Sequence, residues 1–131
     1  MAKIPENFLD LFEKKAFANL ATIMPDGGPQ VTPVLVELDG DSVVVNSARG
    51  RQKDANMKNH PKVALSMLDP ENPYRYLEIR GVVTDITEDG GDPHIDKLAN
   101  KYLGVDKYPY RQEGEVRVIY RIKPEHFSSF G

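Results

Sequence analysis

Residues Val43 to Pro61 read VVVNSARGRQKDANMKNHP, and the fold follows from how this stretch turns. Val43, Val44 and Val45 form a β-branched run of the kind that ends a buried strand. Asn46, Ser47 and Gly50 supply turn chemistry. Gln52 to Asn59 favours helix, and His60-Pro61 stops it, because the residue before a proline avoids helical backbone angles. Arg49, Arg51 and Lys53 therefore alternate across a strand-to-helix corner. A helix start carries unpaired N–H groups and a partial positive charge, so it already attracts anions. Two guanidiniums and an ammonium beside it suit a phosphate, which arginine binds through two parallel hydrogen bonds.

Charge is concentrated there. Arg49 to Lys62 holds five basic side chains (Arg49, Arg51, Lys53, Lys58, Lys62) against one acid, Asp54. That is +4 inside a chain of net charge −3, so the remaining residues carry −7. The alternative reading is a solvated basic helix face whose lysines complement the helix dipole.

The 131 residues, 40% of them hydrophobic, suit one domain over residues 1–131 with one core. Cysteine is absent, so a disulfide framework and a thiolate metal site are excluded. No apolar run approaches the roughly 20 residues of a membrane helix. The opening MAKIPENFLDLFEKK carries acids and lacks the apolar stretch of a signal peptide. The expectation is a cytoplasmic protein with no membrane partner. Mild acidity argues against nucleic acid as a partner, which needs a broad basic surface.

Outward from the corner, Pro5 to Lys15 is predicted to form a short amphipathic helix. Phe17–Ile23, Val31–Leu38 and Ser42–Asn46 read as three strands. Pro25-Asp26-Gly27-Gly28 and Asp39-Gly40-Asp41 are the turns between them. Pro33 cannot donate to a sheet ladder, so it marks an edge, a bulge or a surface left open for a flat ligand. Val63–Leu68 and Tyr74–Ile86 continue the strands. Pro93–Leu103 has helical spacing, with Gly104 as its stop. Glu115–Lys123 is the last strand, with Val116, Val118, Tyr120 and Ile122 on one face and Pro124 ending it. The fold class is mainly β with flanking helices (α+β): six antiparallel strands closing into a small barrel, which removes exposed edges.

Catalytic side chains are not evident. There is no G-x-S-x-G elbow, no nucleophilic cysteine, no Walker loop and no G-x-G-x-x-G. His60, His94 and His126 lack metal-ligand spacing, so no metal is expected. Asp85, Glu88 and Asp89 sit at a turn. An anion site without catalytic side chains suggests that a cofactor supplies the reactivity.

The runs FANLATIMPDGGPQVTPV, VVVNSARGRQKDANMKNHPKVALSMLD, NPYRYLEIRG and KYLGVDKYPY occur in this order. Together they resemble the pyridoxamine 5′-phosphate oxidase-like split β-barrel superfamily, and within it the small oxidoreductases that use the deazaflavin coenzyme F420. The resemblance implies a six-stranded split barrel and a homodimer with two cofactor sites at the subunit interface. It implies that Arg51, Gln52 and Lys53 hold the cofactor phosphate. Asn46, Ser47, Ala48 and Arg49 would line the phosphate and ribityl region, and Gln30, Val31, Thr32, Pro33 and Val34 the flat ring. Tyr74 and Tyr76 would flank the pocket, from this chain or from the partner subunit. Tyr102, Tyr108 and Tyr110 would shape the substrate side. The implied activity is hydride transfer from reduced deazaflavin to a small conjugated or aromatic acceptor. An FMN-dependent oxidase or reductase is one alternative, and a non-catalytic flavin or tetrapyrrole binder is another. No residue is assigned as the catalytic acid or base.

Overall fold

Each of the turn signals becomes a chain reversal in the structure, a computed structural model that describes residues 3–131. A 3-10 turn (Glu6–Phe8) and a one-turn helix α1 (Asp10–Glu13) precede β1 (Ala18–Ile23), β2 (Pro29–Val34), β3 (Val36–Asp39) and β4 (Ser42–Ala48). Helix α2 (Gln52–Asn59) follows, then β5 (Lys62–Asp69), β6 (Asn72–Thr87), α3 (Gly91–Leu103) and β7 (Arg117–Phe130). At the first turn Gly27 takes φ +87°, and the Asp26 carboxylate accepts the Gly28 N–H at 2.8 Å. The helix expected over Pro5–Lys15 is shorter than its sequence pattern, because a 3-10 turn and α1 share the span.

All pairings are antiparallel, in the spatial order β2-β1-β5-β6-β7-β4-β3. The strand count is seven rather than six. The expected strand Val31–Leu38 divides at Leu35: β2 pairs with β1 at one edge of the sheet, and β3 pairs with β4 at the other. One residue thus links the two sheet edges, which makes the sheet curl into a half-barrel. Pro33 lies on edge strand β2, where a missing N–H is tolerated.

The last strand also differs from its expected end. β7 begins at Arg117 and runs through Pro124 to Phe130. Pro124 is accommodated where the β6–β7 register shifts between Arg80 and Gly81, and Gly81 faces it. The shift takes Glu125 out of the ladder, and an irregular point of this kind is where a strand admits a proline. Val116 is correspondingly not on the inner face: it precedes the strand and is 42% exposed.

The inward faces of the strands supply the core, including Leu20, Val36, Val45, Leu65, Leu77 and Ile122. Phe8, Leu11 and Phe12 close one end of the barrel, and Met57 of α2 packs into the other. Helix α3 lies outside, with Ile95, Leu98 and Tyr102 against Leu35 and Tyr108.

Ion pairs pin these outer elements. Arg75 bridges Asp10 and Asp69 at 2.8 Å each, and Lys14 also reaches Asp69, at 3.1 Å. The Glu71 N–H, Arg75 and Lys14 hold the Asp69 carboxyl down at about 2, and His94 with Lys97 holds Glu37 down at about 2. Both values lie below those of the unfolded chain, so these carboxylates stabilise the fold above the ordinary carboxylate range. That stabilisation is lost as pH falls through their folded values. The urea midpoint is expected to drop steadily from about pH 5 toward pH 2. Glu37→Gln with Asp69→Asn should flatten that slope.

Candidate functional site

The corner forms as the sequence implies. β4 ends at Ala48, the Arg49 N–H donates to the Val116 carbonyl at 2.9 Å, and Gly50 turns the chain at φ +88°. A side chain at Gly50 would strain this left-handed backbone. Helix α2 starts at once, and no side chain caps it.

The three cations take different positions. Arg49 donates to Glu88 at 2.8 Å and to the buried Asp54 at 3.0 Å, so its charge is neutralised. Asp54 also accepts the Tyr120 hydroxyl at 2.5 Å, tying α2 to the barrel floor. Arg51 is half exposed and reaches Glu115 at 3.3 Å. Lys53 points inward: it is 9% exposed, and its Nζ donates to the Thr32 hydroxyl at 2.9 Å. Burial pushes the Lys53 ammonium down from its ordinary value, and the charges of Arg51 and Arg117 push it further. Among the described residues it pairs with no carboxylate.

Thr32 belongs to an inner polar row that sequence reading only half identified. Asn56 Nδ2 donates to Thr22 Oγ1 at 3.0 Å and to Gln30 Oε1 at 3.3 Å. Gln52 Nε2 donates to Asn56 Oδ1 at 2.8 Å. Strand alternation divides the expected ring-lining segment: Gln30 and Thr32 face α2, Val31 and Pro33 face outward, and Val34 enters the core. Thr22 and Asn56 were not singled out. Their signal was a polar residue in an inward strand position, and another one helical turn from Lys53.

Arg117 was missed as well. It is 4% exposed, although it opens a strand. Its Nε donates to Asn46 Oδ1 at 2.9 Å, its Nη1 donates to Glu115 Oε1 at 2.8 Å, and its guanidinium stacks 5.1 Å from the Tyr108 ring centre. With Asn46 Oδ1 accepting, Asn46 Nδ2 must donate, to Gly91 O at 3.0 Å and to His94 Nδ1 at 2.9 Å. The His94 proton then lies on Nε2, facing Glu37 at 2.7 Å. Asn46 is thereby committed to holding Arg117, and Ala48 is buried beside it. The neighbouring Ser47 hydroxyl is buried without a partner.

The tyrosines separate. Tyr102 is buried and donates to the Ala16 carbonyl at 2.8 Å, which is a packing role. Tyr110 is 67% exposed. Tyr76 stacks on Phe130 at 6.4 Å, and Tyr74 is 79% exposed. Tyr76 lies opposite Leu68, whereas the Val31 row crosses β5 at Ala64. Four residues of strand separate these rows by ~13 Å. One chain does not bring Tyr74 and Tyr76 to Lys53.

Two hollows bear on the site. One of about 280 Å³, lined by Glu88, Gly91, Glu115 and Arg117, adjoins the corner. Another of about 350 Å³ lies on the outer sheet face between Ala21, Ile23, Ala64 and Arg80. The first is walled by the buried Glu115–Arg117 pair, and the second lies beside the Val31 row; Lys53 and Arg51 line neither. A phosphorylated cofactor fits the residues present: a buried ammonium lacks an anion, a half-exposed guanidinium adjoins it, and a buried hydroxyl lacks a partner. Among the described residues no group of three metal-ligating side chains occurs, and no helix is long and apolar enough to cross a membrane.

Comparison with known proteins gives the family. Of the solved structures, one named F420 Reductase is 40% identical, with TM-score 0.85, covering 95% of this chain and 98% of its own. A conserved hypothetical protein of Mycobacterium tuberculosis is 21% identical (TM-score 0.73, 99% and 86% covered). General Stress Protein 26 of Bacillus anthracis is 20% identical (TM-score 0.68, 95% and 91% covered). The latter two share the fold. No curated protein matches the chain. The family model described as pyridoxamine 5′-phosphate oxidase matches residues 4–130. The chain therefore belongs to the pyridoxamine 5′-phosphate oxidase family, oxidoreductases built on the split barrel.

Proposed function

We propose that the protein is a homodimeric reductase that uses the deazaflavin coenzyme F420 to reduce small conjugated or aromatic acceptors. The observation that carries this reading is Lys53, a buried ammonium that faces Thr32, lacks an acid partner and stands at an uncapped helix start. Such a charge is costly unless an anion arrives. Identity of 40% with a structure named F420 Reductase supports the choice of deazaflavin. FMN is the second candidate, because a phosphate clamp alone serves either cofactor.

In this reading Lys53 and Arg51 grip the phosphate, with the helix start as a third donor. Arg117 fixes the floor beneath them, held by Asn46 and Glu115. Val31 and Pro33 offer an apolar strip for the flat ring. The bound cofactor supplies the hydride. The protein's part is orientation, exclusion of water and electrostatic support, so it needs no nucleophile.

The dimer rests on the outer sheet face. Phe17 (51% exposed), Val31 (64%), Leu68 (46%) and Phe130 (61%) project there with Tyr74 and Tyr76. An exposed apolar face of this kind marks an interaction surface. A second copy would bring the tyrosines to the ring strip of the first. Sedimentation should give twice the chain mass, and Val31→Asp with Phe130→Glu should give monomers.

The test of function is a fluorescence-quench titration with coenzyme F420 and FMN side by side. It is followed by reoxidation of the reduced cofactor with quinones, enones and bilins. Deazaflavin binding with acceptor-dependent reoxidation supports the proposal. Micromolar FMN binding without deazaflavin binding replaces it with a flavin enzyme. Tight binding without reoxidation by any acceptor replaces it with a carrier.

A further inference from the structure

The corner of the barrel holds one carboxylate that a phosphate site does not need. Glu115 precedes β7, and its side chain is only 8% exposed. Its Oε1 accepts from Arg117 Nη1 at 2.8 Å and from Arg51 Nη2 at 3.3 Å, and its Oε2 accepts the Gln112 N–H at 3.2 Å. Burial pushes this carboxyl up, but the Gln112 N–H and Arg117 outweigh it, so the group sits below its ordinary value and is ionised at neutral pH. One negative oxygen thus occupies the point where two guanidiniums converge. Arginine pairs offer this arrangement to phosphate oxygens.

The two legs are unequal. Arg117 is fixed by Asn46, by Tyr108 and by its own burial. Arg51 is half exposed and makes one long contact. It is also close enough to Lys53 to depress that ammonium. Arg51 therefore stands between a lysine without an anion and a glutamate already paired with Arg117. An incoming phosphate on Lys53 competes with Glu115 for Arg51. It does so with more negative charge and more acceptor oxygens than a carboxylate has.

We propose that Glu115 is a built-in counter-ion that holds Arg51 in the ligand-free protein and sets the affinity of the site for phosphorylated ligands. Binding transfers Arg51 from Glu115 to the phosphate, while the Glu115–Arg117 pair stays in place. The carboxylate tolerates phosphate, which outcompetes it, and repels ligands that bring only a weak anion. This inference rests on the corner being the cofactor phosphate site.

The experiment compares wild type with Glu115→Gln, titrated with coenzyme F420, FMN and riboflavin, which lacks the phosphate. Gln keeps an oxygen for Arg117 but releases Arg51. The variant is expected to bind the phosphorylated ligand about three- to fivefold tighter, the scale of a half-exposed ion pair. Riboflavin binding should be unchanged. Adding Arg51→Met should abolish the gain, since no guanidinium is left to release. Unchanged or weaker binding, or an equal gain for riboflavin, overturns the role of Glu115. If wild type binds none of the phosphorylated ligands, the site reading itself falls, and this inference with it.

Burial of Arg117 makes Glu115→Gln prone to fold poorly, so a second readout uses wild type alone. On adding the ligand that binds, the Glu115 side-chain carboxyl carbon resonance should shift, along with the Arg51 side-chain signals. The Arg117 signals should stay in place. A stationary Glu115 resonance at saturation would count against the exchange.

Discussion

Lys53→Met is expected to weaken phosphate-dependent binding strongly while leaving the fold at least as stable. The two halves of this result come from one fact. The ammonium is buried against Thr32, pairs with no carboxylate among the described residues, and has a pKa below the ordinary lysine value. A lysine depressed in the folded state weakens the fold at neutral pH, and the penalty lifts only as pH rises toward 10.5, the unfolded value. Methionine fills the same channel without charge, so the urea midpoint should hold or rise. A charge-assisted hydrogen bond contributes about 1.5–3 kcal/mol, so affinity for the phosphorylated cofactor should fall roughly 10- to 150-fold. Wild-type affinity should also decline with rising pH, at a lower pH than an ordinary lysine would give. Normal binding by the variant would move the phosphate elsewhere. A large loss of stability would make Lys53 a structural residue.

Gly81→Ala should damage the fold severely for so small a change. A Cβ at Gly81 would stand 2.2 Å from the Lys123 carbonyl oxygen and 3.2 Å from the Pro124 Cα. Both obstacles are backbone, so no side chain can swing away. Here β6 and β7 shift register around Pro124. The long strands must part, and overpacking of this kind costs about 3 kcal/mol or more. Thermal denaturation should show a fall of about 10 °C for a chain of this size. Gly40→Ala supplies the contrast: nothing lies within 4 Å, and only the left-handed φ of +60° is strained.

Most of the architecture was legible because turns and alternation are local signals. The Asp39–Gly40–Asp41 hairpin, α2 and the Pro93–Leu103 helix fall within two residues of expectation. Two errors share a cause. The division at Leu35 and the passage of β7 through Pro124 are both set by pairing between distant strands. Val31–Leu38 reads as one extended run whether or not its halves join different neighbours. Proline reads as a stop unless its partner strand is known to shift at that point.

The candidate site was legible as a charge cluster and not as a network. Arg49, Arg51 and Lys53 looked alike in sequence, yet only Lys53 lacks an acid. Asp54, Glu88 and Glu115 decide this, and two of them lie in distant loops. Arg117 was hidden for a similar reason: among Val116, Val118, Tyr120 and Ile122 it reads as the solvent-facing member. It is in fact covered by Tyr108, and Asn46 beneath it holds it in place.

The single-residue seam at Leu35 also governs how copies can meet. Strands β2 and β3 are the only outer members of the described sheet, and they follow each other in the chain. One bears two prolines, and the other has four residues. Neither makes a good template for ladder extension by another molecule. Growth into fibres or swapped ribbons is therefore disfavoured from the outset, which leaves the faces of the sheet, not its rims, for any meeting of copies.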